Sequence, residues 1–381
     1  MKIIGIICEY NPFHLGHEKQ FRYIRSLYGQ DCAIVCLMSG NFVQRGAPAV
    51  FDKALRARAA LLCGADLVLE LPVTYALSSA EGFAAGGVRL LSGFCDALCF
   101  GTESGTGDSL TATAKALLSP AFSEALRSQL DRGLSFPAAR QAALTALGTD
   151  ASLLSSPNDI LAVEYCKAML SQNSPMLPLP IRREGGYHDT VPDPENPSAT
   201  ALRQLLLTGG KWQEFVPAEA GAVFADAPLH TLGAGERAIL YRLRTMTDGE
   251  FEALPYGSEG LWRKLMHASR SRSRLVEILE ATKSKRYTRT RLDRMVMCAL
   301  LGITTADMAA PVPYTRVLAF SEQGRSVLKT ARTQGLFPHI GETVHDPYEA
   351  LERRCDDIYA LFRADCPAAA GETAKRRVWL P

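Results

Sequence analysis

His14 and His17 stand three residues apart with Gly16 between them, and side chains at that spacing leave a helical turn in the same direction. Two imidazole N–H donors aimed at an α- or β-phosphate would stabilise the charge that develops as a nucleotidyl group is transferred and pyrophosphate leaves. The other reading of such a pair is a helix cap and core filler, so the elements that position it decide between the two.

Ahead of the histidines, Ile3, Ile4, Ile6 and Ile7 form a short β-branched run, which predicts a strand buried on both faces inside a parallel sheet. Asn11-Pro12 breaks that strand. A helical pattern resumes at Leu15 and runs through Phe21, Ile24 and Leu27. The histidines therefore fall at a helix N-terminus, whose unpaired N–H groups and partial positive charge suit phosphate, with Gly16 giving a ligand close access to the backbone. A second strand over 32–39 completes a strand–helix–strand unit, hence a parallel sheet with a right-handed crossover.

Residues 40–48 read as a polar loop at the carboxyl end of that strand, where open α/β sheets bind ligands; Asn41, Gln44 and Arg45 are substrate contacts or part of a solvated connector. A helix over 51–62 carries Lys53, Arg56 and Arg58 on its polar side, and the strand over 66–71 places Glu70 inside an apolar run, where a carboxylate is either functional or paired. A helix over 79–91 leads to a fourth strand over 97–100. Gly101 at its end opens a polar loop that can admit a flat base. A helical insertion over about 110–150 is interrupted at Gly133 and Pro137. Ser155, Ser156 and Pro157 then start a helix, with Asn158 as cap or ligand contact. A fifth strand over 178–183 ends in Arg182 and Arg183, a pair able to clamp phosphate. Beyond Pro192, Pro194 and Pro197, Ser198 and Thr200 open a helix with Arg203 one turn on, which is a second phosphate site or a serine-capped helix.

After about Leu207 the strand signals stop, and a loop-rich linker over 217–232 leads to short helices over 236–246, 259–269, 273–282, 290–301, 321–332 and 347–363. The division expected is 1–207 and 208–381. Lys283, Lys285, Arg286, Tyr287, Arg289 and Arg291 form a basic run, with Asp293 and Glu277 the nearest acids and Arg270, Arg272 and Arg274 upstream. Such a run suits RNA phosphates, with Tyr287 able to stack on a base; otherwise it is a solvated face. The chain of 381 residues is 47% hydrophobic and 22% charged with a net charge of +2, so a nucleic-acid partner must be met by such a local patch. Ten cysteines lie mostly in apolar segments without zinc spacing, so reduced thiols and no metal site are expected. No signal peptide or membrane-length apolar run is visible, which points to the cytoplasm.

His14-Leu15-Gly16-His17 resembles the H-x-G-H signature of the nucleotidyltransferase superfamily, and Ser198 to Arg203 resembles the S-S/T-x-x-I/V-R/K motif that partners it. With the segments 9–17, 38–46, 185–189 and 198–200, and 258–261 and 316–320 further on, the chain is similar to the bacterial tRNA(Met) cytidine acetate ligase family over nearly its whole length. The resemblance implies a nucleotidyltransferase-like doubly wound α/β domain followed by a mainly α-helical, tRNA-binding one. It implies activation of acetate by ATP as acetyl-adenylate, then acetylation of N4 of the wobble cytidine of elongator tRNA(Met); Mg2+ is compatible with this, no protein partner is identifiable from the sequence, and no membrane is expected. Its catalytic residues would be His14 and His17. The ATP site would comprise Ile7, Cys8, Glu9, Tyr10, Asn11, Pro12, Phe13, His14, Leu15, Gly16, His17, Glu18, Lys19, Gln20, Gly101, Asn158 and one of Arg182 and Arg183, with Ser198 and Thr200 from the second motif. The rival readings are a small-molecule adenylyltransferase of coenzyme biosynthesis and a non-catalytic RNA-binding protein with a relict nucleotide site.

Overall fold

The structure is a computed structural model that describes residues 1–182, 193, 197–284, 286–312, 315–333, 347–369 and 378–379. Its strands are β1 (Ile3–Cys8), β2 (Ala33–Ser39), β3 (Phe42–Val43), β4 (Ala47–Pro48), β5 (Leu67–Leu71), β6 (Ala97–Thr102), β7 (Leu177–Arg182), β8 (Val317–Phe320) and β9 (Val378–Trp379). Seven of them form one sheet in the order β7-β6-β1-β2-β5-β8-β9. Every pairing in it is parallel except β5 with β8.

β1 and β2 are buried throughout, and their alternate residues face opposite layers. Ile3, Ile7, Val35 and Leu37 join Phe83, Val88, Leu110 and Val163 of the helices Ala80–Leu91, Gly107–Leu117 and Pro157–Ser171. Ile4, Ile6, Ile34 and Cys36 join Phe21, Ala57, Leu202 and Phe224 of the helices Leu15–Tyr28, Lys53–Leu62, Ala199–Thr208 and Ala218–Phe224. Helices on both faces of a mostly parallel sheet make the doubly wound architecture expected from the sequence. The chain steps from β1 to β2 and β5 on one side and places β6 and β7 on the other, so the strand order reverses between β1 and β6, the switch point at which such sheets bind ligands.

A third core joins the helices Leu232–Thr245, Leu261–Ser271, Leu275–Thr282, Arg289–Leu301 and Pro347–Tyr359. The later half is mainly helical, yet it also supplies β8 and β9 to the sheet, contrary to the expectation that strands end near Leu207. β8 has four residues, too few for periodicity to separate it from a helix segment. The linker over 217–232 holds the helix Ala218–Phe224, and the insertion breaks at Pro120 as well as at Gly133, while Pro137 lies in a first helical turn. Leu27, expected on the buried stripe, is 51% exposed.

Two cations placed on a polar face by periodicity are buried instead. Arg56 donates to the carbonyl oxygens of Phe51, Glu9, Ser39 and Gly40 and so pins the ends of β1 and β2 together. Lys53 lies 2.9 Å from Glu70 and 2.6 Å from Asp356, and Arg316 contacts Glu70, Glu352 and Asp356 at 2.7, 3.0 and 3.0 Å. Glu70 is thus the paired carboxylate of its two readings, within a network that ties the helix Pro347–Tyr359 to the sheet.

Candidate active site

A cleft of about 390 Å3 opens over the carboxyl ends of β1 and β6, within the size range of small-molecule sites. The turn after β1 builds its wall. His14 caps the helix Leu15–Tyr28: its Nδ1 accepts from Gly16 N at 3.1 Å, and His17 Nδ1 accepts from His14 N at 3.2 Å. The pair is therefore a cap and a cleft wall at once. Because each Nδ1 accepts a backbone N–H, the neutral rings carry their proton on Nε2, so the backbone fixes the tautomer. The rings stack at 3.7 Å and 27°, and Tyr10 and Phe13 pack on His17 at 4.7 and 5.4 Å.

This geometry revises two expectations. The N–H groups of Gly16 and His17 are taken by His14 Nδ1 and by the His14 carbonyl oxygen, so these two amides are not open to a phosphate. Gly16 packs against the His14 ring. A Cβ there would lie 3.0 Å from His14 Cε1, and Gly16 does not line the cleft.

Opposite the histidines, Ser198 Oγ caps the helix Ala199–Thr208 by accepting from Ala201 N at 3.1 Å. Arg203 reaches back, donating to Asn11 O at 2.7 Å and to Thr200 Oγ1 at 3.1 Å. Asn11 Oδ1 accepts from Val50 N, and Glu9 Oε1 from Gln44 N at 2.7 Å. Asn158 Nδ2 donates to Glu103 Oε1 at 2.6 Å. Burial raises the pKa of Asp159 beside it, but hydrogen bonds from Thr102 and Ser104 outweigh this and hold it below the ordinary carboxylate value.

The cleft thus gathers Ile7, Cys8, Glu9, Tyr10, Asn11, His14, His17, Gln20, Gly101, Asn158, Ser198, Thr200 and Arg203. It leaves out Pro12, Phe13, Leu15, Glu18 and Lys19, of which Phe13 is wholly buried in the core and Glu18 faces Arg22 at 3.5 Å. Arg182 is exposed at the end of β7 and away from the lining; Arg183 and the segment 185–189 lie outside the described residues. Gln44 and Arg45 line the cleft, whereas Asn41 is buried against Asp356 and Lys53. Residues 40–48 are a hairpin, β3 paired with β4, rather than a plain loop. Sequence reasoning missed the apolar floor of Phe83, Phe100, Leu161 and Tyr165, and the lining stretch His230, Thr231 and Leu232. A lone histidine between a proline and a helix start carries no motif.

The basic run is more compensated than its sequence suggests. Arg286 pairs with Glu259 at 3.1 Å and Tyr287 donates to the same carboxylate at 2.6 Å, while Arg289 pairs with Asp293. Arg291 donates to Tyr256 O and Ser258 Oγ and covers one face of the Tyr287 ring at 4.7 Å. Lys283, Arg286 and Arg289 are exposed, and Lys285 lies outside the described residues. Arg294 turns inward and donates to Gln44 O at 3.3 Å, joining the basic helix to the cleft hairpin. All ten cysteines are unpaired. Among the described residues no three His, Cys, Asp or Glu side chains gather to hold a metal ion, and no helix is long and apolar enough to cross a membrane.

The HIGH Nucleotidyl Transferase family matches residues 1–373. A protein of Acetivibrio thermocellus named tRNA(Met) cytidine acetate ligase is 34% identical, over 89% of this chain and 88% of its own. One of that name from Alkaliphilus metalliredigens is 36% identical, over 98% and 97%. The crystal structure of apo Thermotoga maritima TmcAL superimposes with a TM-score of 0.88 at 28% identity, and that of the same protein bound with alpha-thio ATP with 0.86 at 27%, each over 100% of both chains. Motif order, cleft and similarity over the full length agree: the chain belongs to the HIGH Nucleotidyl Transferase family and, within it, to the tRNA(Met) cytidine acetate ligases.

Proposed function

We propose that the protein activates acetate with ATP and transfers the acetyl group to N4 of the wobble cytidine of elongator tRNA(Met). The observation that carries this reading is the His14–His17 stack facing the Ser198–Arg203 segment across one cleft at the switch point. The relatives' shared name supplies the acceptor.

In the first step an acetate oxygen attacks the α-phosphorus of ATP and pyrophosphate leaves. Charge grows on the phosphate oxygens, where Nε2–H donors of His14 and His17 stabilise it without a covalent enzyme intermediate. Arg203 and the capped helix at Ser198 hold the opposite side. In the second step the cytidine amine attacks the acetyl carbonyl and AMP leaves; here positioning supplies much of the rate. Among the described residues Glu9 is the one carboxylate that lines the cleft, and it is engaged by Gln44 N, so Mg2+ would arrive with ATP, held chiefly by its phosphates.

Residues 1–207 carry the adenylation chemistry and 208–381 the tRNA. The later part also reaches into the cleft through His230 to Leu232, so the division is one of labour along the chain. Exposed Lys283, Arg286 and Arg289 are the cations that meet RNA phosphates in this reading, an anticodon loop being open to such docking. A tRNA substrate places the enzyme in the cytoplasm. Acetate-dependent exchange of pyrophosphate into ATP, together with N4-acetylcytidine formed on a tRNA(Met) transcript, tests the reading. Exchange driven by a nucleotide-type substrate instead would favour a coenzyme adenylyltransferase, and no exchange would favour a relict site.

A further inference from the structure

We infer that Ile7, Phe83, Phe100, Leu161 and Tyr165 form the subsite that takes the methyl group of acetate and so sets the length of acyl chain that the protein accepts. This rests on the acetate-activating function and adds the residues that choose its acid. The helices Leu15–Tyr28 and Ala199–Thr208, which start at the histidines and at Ser198, both pack on the sheet face of Ile4 and Ile6. Phosphates held between them lie toward that face. Ile7, Phe83, Phe100 and Tyr165 belong to the core of the opposite face, with Leu161 packed against it, yet all five line the same cleft. The cleft thus straddles the end of β1.

An acetate oxygen bonds to the α-phosphorus as the bond to pyrophosphate breaks, and pyrophosphate leaves with the electron pair. Attacking and leaving oxygens stand roughly in line across the phosphorus. Pyrophosphate leaves on the side of the histidines and Arg203, so acetate attacks from the side of the apolar floor. Its methyl group then points away from the phosphorus and into that floor. Leu161 and Tyr165, four residues apart, share one face of the helix Pro157–Ser171, and Tyr165 packs on Phe100 at 5.4 Å and 38°. Ile7 has no room to retreat. A Cβ on Gly87 behind it would lie 2.4 Å from Ile7 Cδ1, so Ile7 is seated on the helix Ala80–Leu91. Phe83, Phe100 and Tyr165 are 2, 4 and 2% exposed, so each shows the cleft no more than an edge, which suits a methyl group rather than a base or a long chain. The polar atom among these side chains is the Tyr165 hydroxyl, which burial, then the charges of Cys8 and Glu9, keep in its neutral form.

Propionate carries one methylene more than acetate, and walls packed this closely would have to shift to admit it. One methylene in an apolar pocket changes kcat/KM by roughly 10- to 200-fold. The two carboxylates are near-equal nucleophiles, so a difference between the acids reports on the floor and not on the attack itself.

Pyrophosphate exchange driven by acetate and by propionate, measured in parallel, tests this. The wild type should favour acetate by about tenfold or more in kcat/KM. Leu161 is half-buried, and Leu161→Ala opens the floor there, so the preference should narrow by about tenfold or reverse. Phe83→Leu takes less from the core and should narrow it in the same direction, which covers a Leu161 variant that does not fold. The ratio compares two acids on one protein, so a general loss of activity or stability does not move it. A preference unchanged in the folded variants, with acetate exchange retained, overturns the inference and leaves the functional reading standing. A wild type that uses propionate as well as acetate does the same. Wild-type protein that exchanges with neither acid overturns the functional reading itself, and the inference with it.

Discussion

The guanidinium of Arg203 bridges the Asn11 carbonyl oxygen and Thr200 Oγ1, so one side chain joins cleft walls 192 residues apart in sequence. It sets the separation between the histidine turn and the second motif, which a nucleotide must span. Hydrogen bonds from a charged donor contribute about 1.5–3 kcal/mol. Arg203→Ala should therefore lower kcat/KM for ATP in pyrophosphate exchange by about 10- to 100-fold. Arg203→Lys should recover only part of this, since an ammonium lacks the planar fork. Unchanged ATP kinetics in the alanine variant would reduce Arg203 to a surface strut.

His14→Ala or His17→Ala should each reduce acetyl-adenylate formation by about 3 kcal/mol in the transition state, the scale of losing one oxyanion donor. The rings stack at 3.7 Å and the His17 ring accepts from the His14 backbone N–H, so the double variant should lose less than the sum. Stopped-flow pyrophosphate release measures this, and near-normal release from both single variants would remove the histidines from the chemistry.

The buried β-branched run of β1, the turn at Asn11-Pro12 and the H-x-G-H spacing were readable because each is local and has a physical signature. The second motif was readable for the same reason. Lys53 and Arg56 were misplaced because periodicity cannot see partners such as Glu70 and Asp356, the latter 303 residues away. Glu259 was missed as the counter-charge of the basic run, 27 residues upstream of Arg286. His230 left no trace, since its place in the cleft depends on Val50 and Tyr359, neither near it in sequence.

Gly46 joins the cleft hairpin to the basic helix. Its φ is +77°, and a Cβ there would lie 2.3 Å from the backbone nitrogen of Arg294. Gly46→Ala combines left-handed strain with a backbone clash and should cost about 2 kcal/mol or more. Displacement of β3 and β4 should also raise KM for the substrates, because Val43, Gln44, Arg45, Ala47 and Pro48 line the cleft. Calorimetry beside steady-state assays checks both, and a wild-type melting temperature would mean that the hairpin tip is not seated against the basic helix.

Neutralising Lys283, Arg286 and Arg289 together should weaken tRNA binding and flatten its dependence on salt. The logarithmic slope should become shallower by about 0.7–0.9 for each RNA phosphate that is no longer neutralised. Arg291→Gln is expected to act differently, through the carbonyl of Tyr256 and the hydroxyl of Ser258 that it holds, and so to lower stability more than the salt slope. Filter binding across a salt series separates the two. A triple variant with wild-type affinity and slope would make the run a solvated face.

Glu352 supplies a pH dependence of known sign. Its carboxyl accepts from Val73 N at 2.7 Å and faces Arg316 at 3.0 Å. Burial pushes its pKa from 4.5 up to about 7, with Glu70 adding to the rise and Arg316 and Lys53 opposing it. Between those two values the folded protein holds a proton that the unfolded chain has released, so stability from this group is fully present below pH 4.5 and is lost as pH rises to about 7. Glu352→Gln keeps an acceptor for Val73 and does not titrate. The difference in melting temperature, variant minus wild type, should therefore become more positive across that window and level off above it, whatever the constant offset from the weakened pairing with Arg316. A difference that stays flat, or moves the other way, would mean that Glu352 is ionised in the folded protein throughout and that the network of Lys53, Glu70, Arg316 and Asp356 holds it so.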